Sequence, residues 1–309
     1  MSIIESALEK LRRAGVSPGD PEALARRHAT GGPAAAPTAP VAVAVVVASP
    51  PTPSAPQKRI AVNLTALRSA GYLPDEKLDR RFMEHYRRIK RPLVAQALTG
   101  GADARLILVS SALPGDGKTF TSINLALSMT RERDVSVLLI DADVARARIS
   151  EVFGIREERG LIGALTDETV DVESLVLRTD IPGLEILPAG RAAEDATERL
   201  ASSRMREVFA KLNAHNPRRL VVIDSAPLLA ASEGRVLLSI PGQVVLVVRA
   251  GVTPQRAVMD SVALVDKNKL RGLVLNQAPL GSGDGKYGYL GYSSYAGYGA
   301  RDDDPARID

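Results

Sequence analysis

Leu106-Ile-Leu-Val-Ser-Ser-Ala-Leu-Pro-Gly-Asp-Gly-Lys-Thr119 carries an apolar run into a glycine-rich turn and on into a helical pattern. A strand, a turn with two glycines, and a lysine followed by a hydroxyl residue at the head of a helix form the arrangement that cradles nucleotide phosphates, the P-loop. Gly115 and Gly117 flank Asp116 and let the backbone curl so that successive amides face a phosphate. The helix beginning near Lys118 adds its positive amino-terminal end. Lys118 is placed to reach the β- and γ-phosphates, and the Thr119 hydroxyl to sit on Mg2+. Ala112 stands where the usual pattern begins with glycine.

Two further apolar runs end in carboxylates. Val137-Leu-Leu-Ile-Asp-Ala-Asp143 reads as a buried strand from which Asp141 and Asp143 emerge. Alternate residues of an extended chain face the same way, so both can point into one cleft at the carboxyl edge of a sheet, where ligands bind in such folds. The bland alternative is a pair of loop aspartates capping the next helix. Val221-Val-Ile-Asp-Ser-Ala-Pro227 repeats the pattern, with Asp224 at the position of an acid that holds Mg2+ directly or through water. Gly272-Leu-Val-Leu-Asn276 ends a later strand; Asn276 reads either as an amide for an adenine edge or as a turn asparagine. The ATP-binding set is therefore Gly115, Asp116, Gly117, Lys118, Thr119 and Asn276.

Around these motifs, apolar runs alternate with helical patterns. Strands are expected at Leu106–Ser110, Val135–Ile140, Leu184–Leu187, Leu220–Ile223, Val244–Val248 and Gly272–Leu275, with helices at Lys118–Thr130, Ala201–Asn213 and Pro254–Asp266. The runs are continuous, as in strands covered on both faces. The expected fold is α/β, doubly wound, a mostly parallel sheet of the P-loop type with amino-terminal helices ahead of it and a disordered tail behind. The expected divisions are an amino-terminal helical segment (1–29), an Ala/Pro-rich linker (30–58), the nucleotide-binding domain (59–280) and a Tyr-rich tail (281–309).

The 309 residues include no cysteine, which excludes disulfides and a thiolate nucleophile. The three histidines are scattered without metal-ligand spacing, so a general base is expected among the carboxylates. The formal net charge of +4 does not argue for nucleic acid. No signal peptide is read at the start, and the apolar run Val41–Ala48 is far short of the roughly 20 residues a spanning helix needs. Ser2 and Glu5 form a capping box ahead of Ile4, Ala7, Leu8 and Leu11, either a frayed helix or a docking helix. A long helix is expected over Leu78–Leu98. Its basic stretch reads as a solvated face, or as a surface for an acidic partner or anionic lipid. Tyr287, Tyr289, Tyr292, Tyr295 and Tyr298 crowd the Gly/Ser-rich end of the chain. They read as a rack of phosphoacceptors beside an ATP site, or as a merely sticky terminus.

Pro114-Gly-Asp-Gly-Lys-Thr119, Leu138-Leu-Ile-Asp-Ala-Asp143, Ile223-Asp-Ser-Ala-Pro227 and the tyrosine tail together resemble the bacterial tyrosine kinases, whose fold is that of the MinD/ParA ATPases. The amino-terminal helix, the linker and Asp143-Val-Ala-Arg146 look most like the autokinases beside exosortase-linked polysaccharide loci. The resemblance implies an ATP-dependent protein-tyrosine autokinase, with MgATP held by Lys118 and Thr119. It gives Asp143 and Asp224 to the metal, Asp141 to the tyrosine hydroxyl and Arg146 to charge neutralisation. Glu84, Arg87 and Lys90 follow the family's Glu-x-x-Arg-x-x-Arg self-association motif, with Lys in place of its last Arg, and imply a homo-oligomer, as in a ring. The implied partners are a Wzz-like transmembrane polysaccharide co-polymerase and a cognate tyrosine phosphatase, with no nucleic acid. The implied location is the cytoplasm, at the inner face of the membrane. Two other readings are a MinD/ParA-type positioning ATPase and a non-catalytic adaptor. Leu113, where such ATPases carry a lysine, and the tyrosine rack favour the kinase over the first.

Overall fold

A computed structural model of the chain describes residues 58–74, 79–191 and 193–278. The expected amino-terminal helices, nearly all of the linker and the five tail tyrosines lie outside these residues. The strands are β1 (Arg59–Ile60), β2 (Leu106–Ser111), β3 (Ser136–Asp141), β4 (Leu177–Thr179), β5 (Leu184–Leu187), β6 (Arg219–Asp224), β7 (Gln243–Arg249) and β8 (Leu270–Asn276). They form one sheet in the order β1-β4-β5-β3-β6-β2-β7-β8. All neighbours are parallel except β4 and β5.

The helices that matter for the site are α1 (Asp79–Thr99), α2 (Lys118–Met129), α3 (Arg148–Val152), α4 (Leu161–Thr166), α5 (Ser203–His215) and α6 (Gln255–Leu264). The central strands are buried on both faces, and their side chains divide with period two. Leu106, Leu108, Leu138, Ile140, Val221 and Ile223 pack on one side, under α4 and α5. Ile107, Val109, Val137, Leu139, Leu220 and Val222 pack on the other, under α1 and α2. The continuous apolar runs in the sequence are this double burial. β8 closes the sheet at one edge, where Leu273 and Leu275 are exposed. Among the described residues, no helix is long and apolar enough to cross a membrane.

Every strand expected from the sequence is present, with ends that differ from the expected ones by at most two residues. The two that were not expected, β1 and β4, are 2 and 3 residues long. So short a segment carries no periodicity; the sheet recruits it by pairing Arg59 with Arg178 and Ile60 with Thr179.

The edge of the sheet opposite the P-loop is tied by a buried ion cluster. Arg219, at the start of β6, gives Nη1 to Glu173 Oε1 at 2.6 Å and Nη2 to Glu173 Oε2 at 3.1 Å. Its Nη2 also lies 2.9 Å from Glu185 Oε2 on β5. Removing one partner of such a cluster strands the others in a dry interior. Arg219→Met is therefore expected to cost about 3–5 kcal/mol of stability. The midpoint of a urea titration measures this; an unchanged midpoint would show the cluster to be dispensable.

Candidate active site

The P-loop connects β2 to α2. Gly115 and Gly117 have φ of 86° and 96°, left-handed values that side chains resist. At Gly117 a second constraint applies, because a Cβ there would overlap the Asn276 amide. Asn276 Nδ2 donates to Asp116 O at 3.0 Å. The Leu113 N–H donates to Asp116 Oδ2 at 3.0 Å, and Thr253 Oγ1 donates to Asp116 Oδ1 at 2.6 Å. Thr253 in turn accepts from the Arg249 N–H at the end of β7. The Asp116 carboxylate thus braces the loop from within. Asn276, read as an amide for an adenine edge or as a turn asparagine, gives one of its two Nδ2 hydrogens to the loop backbone.

Lys118 opens α2 and is buried, with Nζ 2.6 Å from Asp143 Oδ2. Burial alone would lower the ammonium's pKa; Asp224 and Asp143 outweigh it, and the net shift is upward. Thr119 Oγ1 donates to Asp224 Oδ2 at 2.8 Å, and Ser122 Oγ donates to Asp224 Oδ1 at 3.0 Å. Residues three apart share a helix face, which places Thr119 and Ser122 together. Burial raises the Asp224 pKa to about 6, against the lowering effects of Lys118, Thr119 and Ser122.

Asp141 and Asp224 are direct neighbours in the β3–β6 register. Asp141 is fully buried; its Oδ2 accepts from both the backbone N–H and the hydroxyl of Ser150, each at 2.7 Å. The Ser150 Oγ accepts from the Ala189 N–H at 3.0 Å, which directs its own proton to Asp141. Asp141 Oδ1 is buried without a hydrogen-bond partner. Burial, then the charge of Asp224, raises the Asp141 pKa to about 7, with the Ser150 donors pulling the other way. Arg146 is exposed on the turn after Asp143, and Ala147 closes that turn at φ 46°.

Lys118, Thr119, Asp141, Asp143 and Asp224 therefore meet at the carboxyl edge of β2, β3 and β6. Thr119 with Asp143 and Asp224 offers the hard oxygen donors that suit Mg2+. Ser122, Ser150 and Thr253 were not singled out from the sequence. Ser122 was within reach, because it shares a face with Thr119. Ser150 and Thr253 meet the site only through the fold.

The expected self-association set is divided. Glu84 pairs with Arg87 on the exposed side of α1. Lys90 is buried, donating to Ser128 O at 2.6 Å and pairing with Glu132 at 2.7 Å. The correction follows from helix geometry. Each step of three residues turns back by about 60°, so Lys90 lies about 120° from Glu84 and faces the core.

A carboxyl group whose pKa is raised on folding holds protons that the unfolded chain has lost. Asp141 and Asp224 thus diminish stability as pH rises from the ordinary carboxylate range through about 6 to about 7. Asp141→Asn keeps an acceptor for Ser150 and puts a donor beside Asp224. Without Mg2+ at pH 8, it is expected to add about 1–2 kcal/mol, a rise in melting temperature of roughly 2–8 °C. The gain should vanish near pH 4. Equal melting of the two proteins at pH 8 would contradict this account of the charge.

The AAA domain family matches residues 104–266. Tyrosine-protein kinase YwqD of Bacillus subtilis is 30% identical over 187 residues, which are 60% of this chain and 77% of that protein. Tyrosine-protein kinase wzc of Salmonella typhimurium is 29% identical over 196 residues, covering 62% of this chain but only 26% of that much longer protein. The kinase domain of the Escherichia coli tyrosine kinase ETK superposes with a TM-score of 0.59 at 25% identity, covering 72% of this chain and 98% of that domain. The family match spans over half of the chain, and a kinase relative is matched over most of its length. The chain belongs to the AAA domain family and, within it, to the bacterial tyrosine kinases.

Proposed function

We propose that the chain is an ATP-dependent protein-tyrosine autokinase that phosphorylates Tyr287, Tyr289, Tyr292, Tyr295 and Tyr298 of a neighbouring copy. The observation that carries this is Asp141: a third carboxylate, beyond Asp143 and Asp224, with one oxygen clamped by Ser150 and the other unpartnered. A base with a pKa of about 7 is matched to proton transfer near neutral pH. Of the other two tyrosines, Tyr86 is buried and Tyr72 half-buried, which leaves the tail as the acceptor.

In this reading Lys118 binds the β- and γ-phosphates, and Thr119, Asp143 and Asp224 hold Mg2+, which supplies charge neutralisation on the phosphates when bound. Asp141 orients the tyrosine hydroxyl and takes its proton. The tyrosine oxygen bonds to the γ-phosphorus as the bond to the bridging oxygen breaks, and ADP leaves. Asn276 and Asp116 hold the loop in shape. Arg146, exposed at the rim, faces developing negative charge.

The same reading makes the chain a switch in exopolysaccharide synthesis and export. A Wzz-like transmembrane co-polymerase draws it to the inner face of the cytoplasmic membrane and activates it, and a cognate tyrosine phosphatase resets it. The support for this wider role is the resemblance of the amino-terminal segment, the linker and the tail to the polysaccharide-linked autokinases.

Incubation with labelled ATP and Mg2+, followed by acid hydrolysis, should yield phosphotyrosine. Lys118→Met should abolish it. Mixed with an active chain lacking residues 281–309, the Lys118→Met chain should become labelled. Release of inorganic phosphate with no phosphotyrosine would favour a positioning ATPase, and absence of label on the Lys118→Met chain would reject transfer between copies.

A further inference from the structure

The face of α1 turned away from the core is lined with guanidinium groups. Arg80, Arg87, Arg88 and Arg91 are all exposed. At about 100° per residue they fall, with Glu84, within about 100° of helix arc. Glu84 is the one carboxylate among them and is shared by Arg87 and Arg88. Arg80 and Arg91 pair with no carboxylate among the described residues. With Lys90 turned inward, the stripe presents arginine alone as its cation. Arginine, unlike lysine, forms the planar two-point fork that fits a phosphate.

The helix that carries the stripe packs near the strand from which the chain continues into the tail. Phe82 meets Phe120 of the first turn of α2 at 5.5 Å, edge to face. On the same side of the sheet, Val274 of β8 packs into the cluster that α1 covers. β8 ends at Asn276, on the P-loop, and the chain runs on from there into the tail. Tyr287 is eleven positions beyond Asn276, a reach of up to about 36 Å, while α1 is about 32 Å long.

Spacing and charge also agree. Tyr292, Tyr295 and Tyr298 recur every three residues, about 10 Å apart in an extended chain. Arg80 and Arg87 are about 10.5 Å apart along the helix axis. Between residues 281 and 300 the tail carries only Asp284 and Lys286, so it has no net charge of its own to bring to the arginines. Each phosphate adds about −1.5 to −2 charge, so the attraction arises only with the modified tail.

We propose that the exposed arginine face of α1, formed by Arg80, Arg87, Arg88 and Arg91, is a receptor for the phosphotyrosine form of this chain's own residues 287–298. The source of those phosphates is the autokinase reading above. Capture on α1 withdraws the modified tyrosines from a neighbour's active site and retains them as a signal of the reaction's completion.

The test uses the full-length, phosphatase-treated chain in EDTA, so that no transfer occurs. The probes are fluorescent synthetic peptides of residues 286–300, one with phosphotyrosine at 292, 295 and 298 and one unmodified. By anisotropy the phosphopeptide should bind at least tenfold more tightly. The exposed triple variant Arg80→Ala, Arg87→Ala, Arg91→Ala should lose that difference. The matching triple Arg→Lys variant, which keeps the charge and loses the fork, should weaken binding several-fold. Undiminished phosphopeptide binding by the alanine variant overturns the proposal, as does equal binding of the two peptides. If light scattering shows that the alanine variant changes only the mass of the unphosphorylated protein, with phosphopeptide affinity intact, the stripe is a contact between copies and the proposal fails. Because the phosphates are installed synthetically, a failure to autophosphorylate in the labelled-ATP assay would count against the function above without touching this measurement.

Discussion

Three carboxylates and a lysine buried at one edge of the sheet are the constraint on which the rest of the structure depends. Asp143 pairs with Lys118, Asp224 adjoins Asp141, and all four are almost inaccessible to water. An ionised carboxylate in such a place is costly unless a cation or a donor answers it. Asp143 is answered by Lys118, and Asp224 by two hydroxyls. Asp141 is answered on one oxygen only. Local stability alone would not select this balance. It suits a site that handles a divalent cation and a proton, where stability is given up for chemistry. The sheet enforces it: β3 and β6 end at the same level, so Asp141 and Asp224 cannot separate without breaking the register.

A second set of bonds joins the P-loop to the ends of the neighbouring strands β7 and β8. Asp116 accepts from Thr253, Thr253 from Arg249, and Asn276 donates back to the loop. The Ala250 N–H donates to Asn276 O, which links the ends of β7 and β8. Gly117 has no room for a side chain because Asn276 occupies it. The phosphate-binding turn, the β7 turn and the end of β8 therefore form one piece. The tail starts from a point fixed to the P-loop, so its distance from the reacting groups of its own chain is limited by its own length.

Much of this was legible in the sequence, for a physical reason. The strands that carry Asp141, Asp143 and Asp224 are central and buried on both faces, so they appear as unbroken apolar runs with acids at their ends. The glycines of the P-loop are required by backbone conformation and show as residue types. What escaped was set by tertiary contact. Ser150 reaches Asp141 because α3 folds back onto β3, and nothing in Arg-Ile-Ser-Glu-Val marks it. A strand-end asparagine such as Asn276 reads equally as an amide for an adenine edge or as a turn residue; its contact with Gly117 is set by the fold and is not visible in the sequence. The family's self-association motif groups Lys90 with Glu84 and Arg87 at three-residue spacing. Over two steps that spacing leaves a single helix face.

The inward turn of Lys90 has a consequence for how α1 works. Its ammonium donates to Ser128 O in the last turn of α2, the end where the helix dipole favours a cation. Phe82 meets Phe120 in the first turn of the same helix, and Tyr86 is buried between. α1 is thus attached to the P-loop helix at both ends: an aromatic contact near the phosphate-binding turn and a charged cap at the far end. Packed interiors transmit displacement because they have no slack to absorb it. A segment or second copy seated on the arginine face of α1 would have these two contacts, Phe82 with Phe120 and Lys90 with Ser128, between it and the helix that holds Lys118 and Thr119.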